Sequence, residues 1–181
     1  MKNFLNYAFI HIPKTAGTSI TMKLTKYGVK TLGNHLTAEQ ILKIYPNIKL
    51  FTCIRNPFDR FISAYNFYKT KNIWSNQKFN IISNITYTQE DVLSLLLDNK
   101  FNFIHFWKQV YWLNTNKEIL YLRYETLDQD FYKMFGIKLD IRLNVTKKIE
   151  TSLSKESVSK ILEFYKDDFT FLKYPTSYAN V

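Results

Sequence analysis

The sequence predicts an α/β protein of three layers, with a central parallel sheet and helices on both faces. Three observations carry that reading. Short apolar runs rich in β-forming residues occur at Tyr7–Ile12, Leu50–Ile54 and Glu118–Tyr124, and runs of this length suit buried strands better than buried helices. Each run is followed by a polar break and then by helix-start signals, the order of a repeated strand–helix unit. Only four Gly and four Pro occur in 181 residues, and 46% of residues are hydrophobic, which excludes low-complexity and disordered classes.

The elements follow in order. Tyr7–Ile12 is the first strand, ended by Pro13. Thr18–Tyr27 reads as a helix with Ile20 and Leu24 on one face. Val29–Leu32 reads as a short further strand. Thr37-Ala-Glu-Gln40 is a capping box that starts a helix running to about Ile44. Leu50–Ile54 is the next buried strand, and Cys53 within it reads as a small core residue. Asn56-Pro57 opens a helix to about Thr70, because Asn satisfies free N–H groups and Pro suits the first helical position. Residues 71–87 are polar and Asn-rich, without period, and read as a surface excursion. Thr88 caps a helix carrying Val92, Leu95, Leu96 and Leu97. After the strand at Glu118–Tyr124, Thr126 opens a helix that Gly136 stops near Phe135. Ser154 caps a last long helix, in which Val158, Ile161, Leu162 and Tyr165 share one face. No repeat or linker interrupts the pattern, so residues 1–181 read as a single domain.

The net charge is +10, from 25 basic and 15 acidic residues; 21 of the basic residues are Lys and four are Arg. Two readings stay open: a compositional bias toward Lys, or an anionic partner such as a phosphorylated cofactor, an acidic polymer, nucleic acid or a membrane surface. One cysteine excludes a disulfide framework and a multi-cysteine zinc site. No apolar run approaches the roughly 20 residues of a membrane span. Met1–Phe9 leads directly into a motif-bearing segment, so no signal peptide and a cytoplasmic location are expected. The sequons at Asn84 and Asn144 are then chance matches.

The most informative stretch is His11-Ile-Pro-Lys-Thr-Ala-Gly-Thr-Ser-Ile20. A loop between a strand and a helix presents unpaired N–H groups at the positive end of the helix dipole, which favours an anion. Gly17 permits close backbone approach, Thr15, Thr18 and Ser19 add hydroxyls, and Lys14 adds a mobile charge. The alternative is an ordinary polar turn with a helix cap. The stretch is not a Walker loop, in which Lys follows the second Gly directly. No apolar strand ends in an Asp placed to hold magnesium.

A second basic motif, Arg55-Asn-Pro-Phe-Asp-Arg-Phe-Ile-Ser-Ala-Tyr65, follows the Leu50–Ile54 strand. Arg55 falls at a C-terminal strand end, where open α/β sheets hold their ligands. Its guanidinium suits forked hydrogen bonding to phosphate. Ser63 adds a hydroxyl about two turns on, while Asp59 and Arg60 are expected to pair or cap locally.

Together the two motifs resemble those of the membrane-associated carbohydrate branch of the sulfotransferases, enzymes that use 3′-phosphoadenosine 5′-phosphosulfate (PAPS) as donor. Leu122-Arg-Tyr-Glu-Thr-Leu127, Leu143-Asn144, and Tyr165-Lys-Asp-Asp-Phe169 with Tyr174 extend the likeness over nearly the whole chain. The resemblance implies a P-loop NTPase-like sulfotransferase fold. It implies that Lys14, Thr15, Ala16, Gly17, Thr18 and Ser19 hold the 5′-phosphosulfate, that Arg55 and Ser63 hold the 3′-phosphate, and that the Asn144–Lys148 loop closes over the nucleotide. Family members often carry an N-terminal membrane anchor, and none is evident here. The shortness of the sequence leaves the acceptor more open than the donor, with a carbohydrate hydroxyl as the expectation.

Sulfuryl transfer needs an aligned acceptor hydroxyl, a base for its proton, and positive charge near the leaving oxygen. No metal is expected. By the same resemblance His35, between the two motifs, is the expected base, a local loop or capping role being the alternative, and Lys14 is the electrostatic stabiliser of the leaving group. His11, at the end of the first strand, reads as a residue that packs or orients the loop after it. His105, Trp107 and Gln109 read either as an acceptor pocket or as core. Two competing functions remain: a metal-dependent phosphotransferase with a P-loop-like fold, and a non-catalytic module for RNA or an acidic glycan. No RNA-binding signature supports the latter.

Overall fold

The sheet has three strands, β1 (Tyr7–Ile10), β2 (Lys49–Ile54) and β3 (Ile119–Arg123), all parallel and in the order β1-β2-β3. In the register, Phe9 lies beside Phe51, and Phe51 beside Leu120. The computed structural model of the protein describes residues 4–33, 35–71, 87–141, 143 and 152–178. The described chain divides into two compact units: Met1–Asn56 with Gln109–Val145, and Pro57–Lys108 with Thr146–Val181.

The first unit contains the sheet. Successive strand residues point to opposite faces. On one face Phe9, Phe51, Cys53 and Leu122 are buried against two helices, α1 (Gly17–Thr25) and α5 (Leu127–Phe135). Ile20 and Leu24 of α1 and Leu127, Phe131 and Phe135 of α5 supply the helical side of that core. Burying each such side chain contributes about 1.5–3 kcal/mol. The alternate strand residues Ala8, Ile10, Leu50, Thr52 and Ile54 are also buried, so β1 and β2 are covered on both faces, as strands of parallel sheets are, while Tyr121 of β3 is exposed. The Thr52 hydroxyl donates to the Ile10 carbonyl at 2.8 Å, which ties the C-terminal end of β1 to β2. Helix α2 (Ala38–Ile44) packs against β1 and against a 3₁₀ turn at Gln109–Leu113. Gly136, at φ 62, ends α5 in the left-handed conformation that glycine adopts without a Cβ penalty.

The second unit is helical. It holds α3 (Pro57–Lys71), α4 (Gln89–Leu97), a 3₁₀ turn at Ile104–Phe106, α6 (Lys155–Phe164) and α7 (Lys166–Leu172). Helix α6 packs against α3, α4 and α7. Its core is aromatic, with Phe61, Phe101, Phe106 and Tyr165 buried and Phe58 against Phe169 at 4.9 Å between ring centroids.

Most start signals act where the sequence places them. Thr37 and Gln40 form a full capping box, Thr88 forms one with Asp91, and the Ser154 side chain accepts from the Ser157 N–H. Four readings need correction. The segment Val29–Leu32 is not a strand but a single parallel bridge, Ala8 to Lys30. Helix α1 begins at Gly17 and ends at Thr25, short of Tyr27, whose N–H closes a turn on the Leu24 carbonyl. The Thr126 hydroxyl bonds to Asp130 and caps no backbone N–H of α5. The last long helix is two helices, because the chain leaves helical geometry at Tyr165, whose hydroxyl is held by the Phe106 carbonyl at 2.6 Å. Residues 72–86 of the expected excursion, the Asn144–Lys148 loop and both sequons lie outside the described residues.

Candidate functional site

β1 ends at Ile10, and residues 11–16 form the turn into α1. Two non-glycine residues of this turn, Lys14 (φ 68) and Ala16 (φ 65), are left-handed, a conformation that costs on the order of 1–3 kcal/mol per residue and persists only where surroundings enforce it. Thr15 is fully buried, and its hydroxyl donates to the Ile12 carbonyl at 2.9 Å. That bond folds the turn and directs the Thr15 hydroxyl inward. Ala16 occupies the N-cap of α1 and offers no capping side chain, so the N-cap residue's side chain satisfies none of the free N–H groups at the positive end of the helix. Ser19 is buried, and its hydroxyl accepts from the Leu143 N–H at 2.9 Å. Thr18 is half-buried.

Arg55 lies immediately after β2. Its Nη1 donates to the Lys14 carbonyl at 3.2 Å, which brings the two basic motifs together at adjacent strand ends. The guanidinium lies over the Tyr124 ring, 3.9 Å from its centroid, an arrangement that favours a cation on the aromatic face. Buried Nε has no hydrogen-bond partner among the described residues. The Arg55 backbone is fixed by Gln109, whose Oε1 accepts from the Arg55 N–H at 3.0 Å and whose Nε2 donates to the Arg55 carbonyl at 2.8 Å. Next to it, the Asn56 N–H donates to Glu125 at 2.7 Å. Lys14 is affected by this neighbour: burial, and then the Arg55 charge, lower its pKa to about 8.

His35 also reaches this end of β1. Its Nδ1 is 2.7 Å from the His11 carbonyl oxygen. A carbonyl only accepts, so Nδ1 carries the proton and Nε2 of the neutral ring keeps its lone pair. The Trp112 indole N–H donates to the His35 carbonyl at 3.0 Å, and His35 is left-handed at φ 51. The His11 and His35 rings meet at 4.4 Å between centroids. Burial, and secondarily His35, lower the His11 pKa to about 4, so His11 is neutral at neutral pH.

The remaining predicted residues divide by position. Gln109 is fully buried, with both ends of its amide on Arg55. Ser63 is half-buried on α3 of the second unit. His105 and Trp107 belong to that unit too. His105 Nδ1 meets the Tyr68 hydroxyl at 2.9 Å, and the Trp107 indole N–H donates to Asn102 at 2.6 Å. Arg60 is not a local capping partner: it is buried, and its guanidinium donates to the carbonyls of His105 and Trp107. Asp59, by contrast, is exposed. Tyr124 and Trp112 are not among the residues the sequence singles out, and the expected role of His11, packing or orienting the loop, does not include its carbonyl's bond to His35. Tyr124 does sit in the Leu122-Arg-Tyr-Glu-Thr-Leu127 stretch already singled out, whereas no local pattern marks Trp112.

A cationic amine, a guanidinium whose Nε has no partner among the described residues, and a helix start whose N-cap offers no side-chain bond meet at the C-terminal ends of two parallel strands. Such an arrangement is suited to holding an anion. The family model for the sulfotransferase domain matches residues 29–135. The chain therefore belongs to the sulfotransferase family, and its reaction is sulfuryl transfer. The matched region includes His35, Arg55 and Gln109. Neither a curated protein nor a solved structure matches the chain.

Proposed function

We propose that the protein transfers a sulfuryl group from PAPS to an acceptor hydroxyl on a carbohydrate, with His35 as base. The observation that carries this reading is the bond from Arg55 to the Lys14 carbonyl. It joins two anion-binding segments 41 residues apart, as a donor with two separate phosphate-type groups requires.

The residues present fit that donor. Arg55 Nε, without a partner among the described residues, is a donor in need of an acceptor. The start of α1 and the Lys14 ammonium suit the phosphosulfate end, and Arg55 suits the 3′-phosphate. The donor supplies an activated sulfuryl group on a good leaving group. Lys14 offers positive charge to the oxygen that becomes negative. His35 Nε2, the ring nitrogen with the lone pair, accepts the acceptor's proton. As the ring becomes imidazolium, Nδ1–H keeps its bond to the His11 carbonyl, so no reorientation is needed. The carbohydrate class of the acceptor rests on the sequence resemblance.

Incubation with PAPS and a panel of glycans, read by mass spectrometry, tests the reading. The expected result is a sulfate-sized mass gain with wild type, and its loss in His35→Ala with binding of the product nucleotide 3′-phosphoadenosine 5′-phosphate (PAP) retained. General-base removal is expected to cost ~10²–10⁴-fold in rate. Normal turnover by His35→Ala overturns the base. Thermal stabilisation by Mg-ATP and not by PAP overturns the sulfuryl donor in favour of a phosphotransferase.

A further inference from the structure

We infer that the His11 ring is a positioning element for His35: packed between Phe9, the start of α1 and the His35 ring, it keeps its own carbonyl aimed at His35 Nδ1, and so fixes which nitrogen of His35 is free to take a proton. This rests on the reading of His35 as the base.

Four contacts support the inference. The His11 ring stacks on Phe9, with centroids 5.7 Å apart and planes at 25°. Phe9 is itself locked in the sheet core, against Phe51 at 5.1 Å. The opposite constraint comes from α1: a Cβ on Gly17 would lie 2.0 Å from His11 Cδ2 and 2.1 Å from Nε2. Gly17 is thus the place where the imidazole touches the helix start, and any side chain there would displace it. The third constraint is the His35 ring at 4.4 Å, and the fourth is the 2.7 Å bond from Nδ1 to the His11 carbonyl.

The consequence is chemical. Neutral imidazole has two tautomers, and only one leaves Nε2 basic while Nδ1 faces the carbonyl. A carbonyl held in place by a wedged ring selects that tautomer. The same ring meets Gly17, the first residue of α1, and that contact holds the ring in place. His11 stays neutral at neutral pH, so it adds no second charge beside a protonated His35. His11 is a positioning residue and not a catalytic one, because it acts through His35.

Long-range ¹H–¹⁵N correlation NMR on the full chain tests this without an acceptor, since imidazole nitrogen shifts report the tautomer directly. Wild-type His35 is expected as a single Nδ1–H tautomer. His11→Ala is expected to lose that single state and show both tautomers, while PAP affinity by calorimetry is retained. His11→Phe keeps the stack on Phe9 and is expected to keep the wild-type tautomer. A wild-type His35 with Nε2–H, or as a mixture, overturns the inference at once and needs no variant to fold. A single Nδ1–H tautomer in His11→Ala overturns it too. So does loss of PAP affinity in that variant, because His11 would then support the anion-binding turn rather than the histidine. Turnover of His35→Ala decides the base assignment separately, so the two failures are distinguishable.

Discussion

Lys14 combines a left-handed backbone, a carbonyl tied to Arg55 and a depressed ammonium pKa. The shift, to about 8 and caused first by burial and then by Arg55, disfavours the charged form of Lys14 in the folded chain. Below about pH 8 the folded and unfolded chains both carry the charge, and its burial penalty is fully present. Between about 8 and the ordinary lysine value of 10.5 the unfolded chain binds more protons, so this group's contribution to stability rises with pH. Anion binding has the opposite sign, since it needs the ammonium. PAP affinity is therefore expected to fall as pH rises above about 8, and the falling limb should disappear in Lys14→Arg, whose guanidinium stays charged. Calorimetry across that pH range checks this, and an unaltered limb in Lys14→Arg would assign it to another group. At Gly17, a Cβ within 2.1 Å of the His11 ring must displace the imidazole. Gly17→Ala is expected to cost ~1–3 kcal/mol, as overpacking does, measurable as a lower urea midpoint with unchanged slope. Lys14, Gly17 and Arg55 were legible in the sequence because they stand at fixed offsets from a strand end. The inward turn of the Thr15 hydroxyl was not legible, because the same hydroxyl at the same offset can point to a ligand or to a carbonyl.

At the scale of elements, the capped helix starts at Thr37, Thr88 and Ser154 were legible and the 3₁₀ turns were not. Thr37-Ala-Glu-Gln40 and Thr88-Gln-Glu-Asp91 cap their helices through bonds within three residues, so the information is local. The Gln109–Leu113 turn has no period, and its role depends on a partner 54 residues away in sequence. Gln109 therefore reads equally well as pocket or core, although its amide brackets the Arg55 peptide from both sides. Removing that amide leaves a backbone donor and acceptor of Arg55 without it, at a cost of about 1–3 kcal/mol. Gln109→Ala is expected to lower the thermal midpoint and to weaken PAP binding together. Loss of stability with undiminished PAP affinity would separate Gln109 from the placement of Arg55. The break at Tyr165 was likewise hidden, because Val158, Ile161, Leu162 and Tyr165 keep helical spacing across it. The anchor of the Tyr165 hydroxyl, the Phe106 carbonyl, lies 59 residues away.

At the scale of the whole molecule, the α/β class and the parallel sheet follow from three apolar runs separated by helices, and the structure has these strands in the order β1-β2-β3. The helical unit was less legible, since its aromatic side chains pack across segments with no shared period. Among the described residues no helix is long and apolar enough to cross a membrane. The charge of +10 gains narrower content from the site, where Lys14 and Arg55 meet at two strand ends. If these two carry donor recognition, binding of the product nucleotide should depend on them and not on the lysine excess at large. Calorimetric titration of PAP, without divalent metal, into wild type, Lys14→Ala and Arg55→Ala tests that claim most directly. The account predicts one bound nucleotide in wild type, weakened about tenfold or more in each variant, as expected when a charged hydrogen bond worth ~1.5–3 kcal/mol is lost. Absence of binding by wild type, or undiminished affinity in both variants, would contradict it.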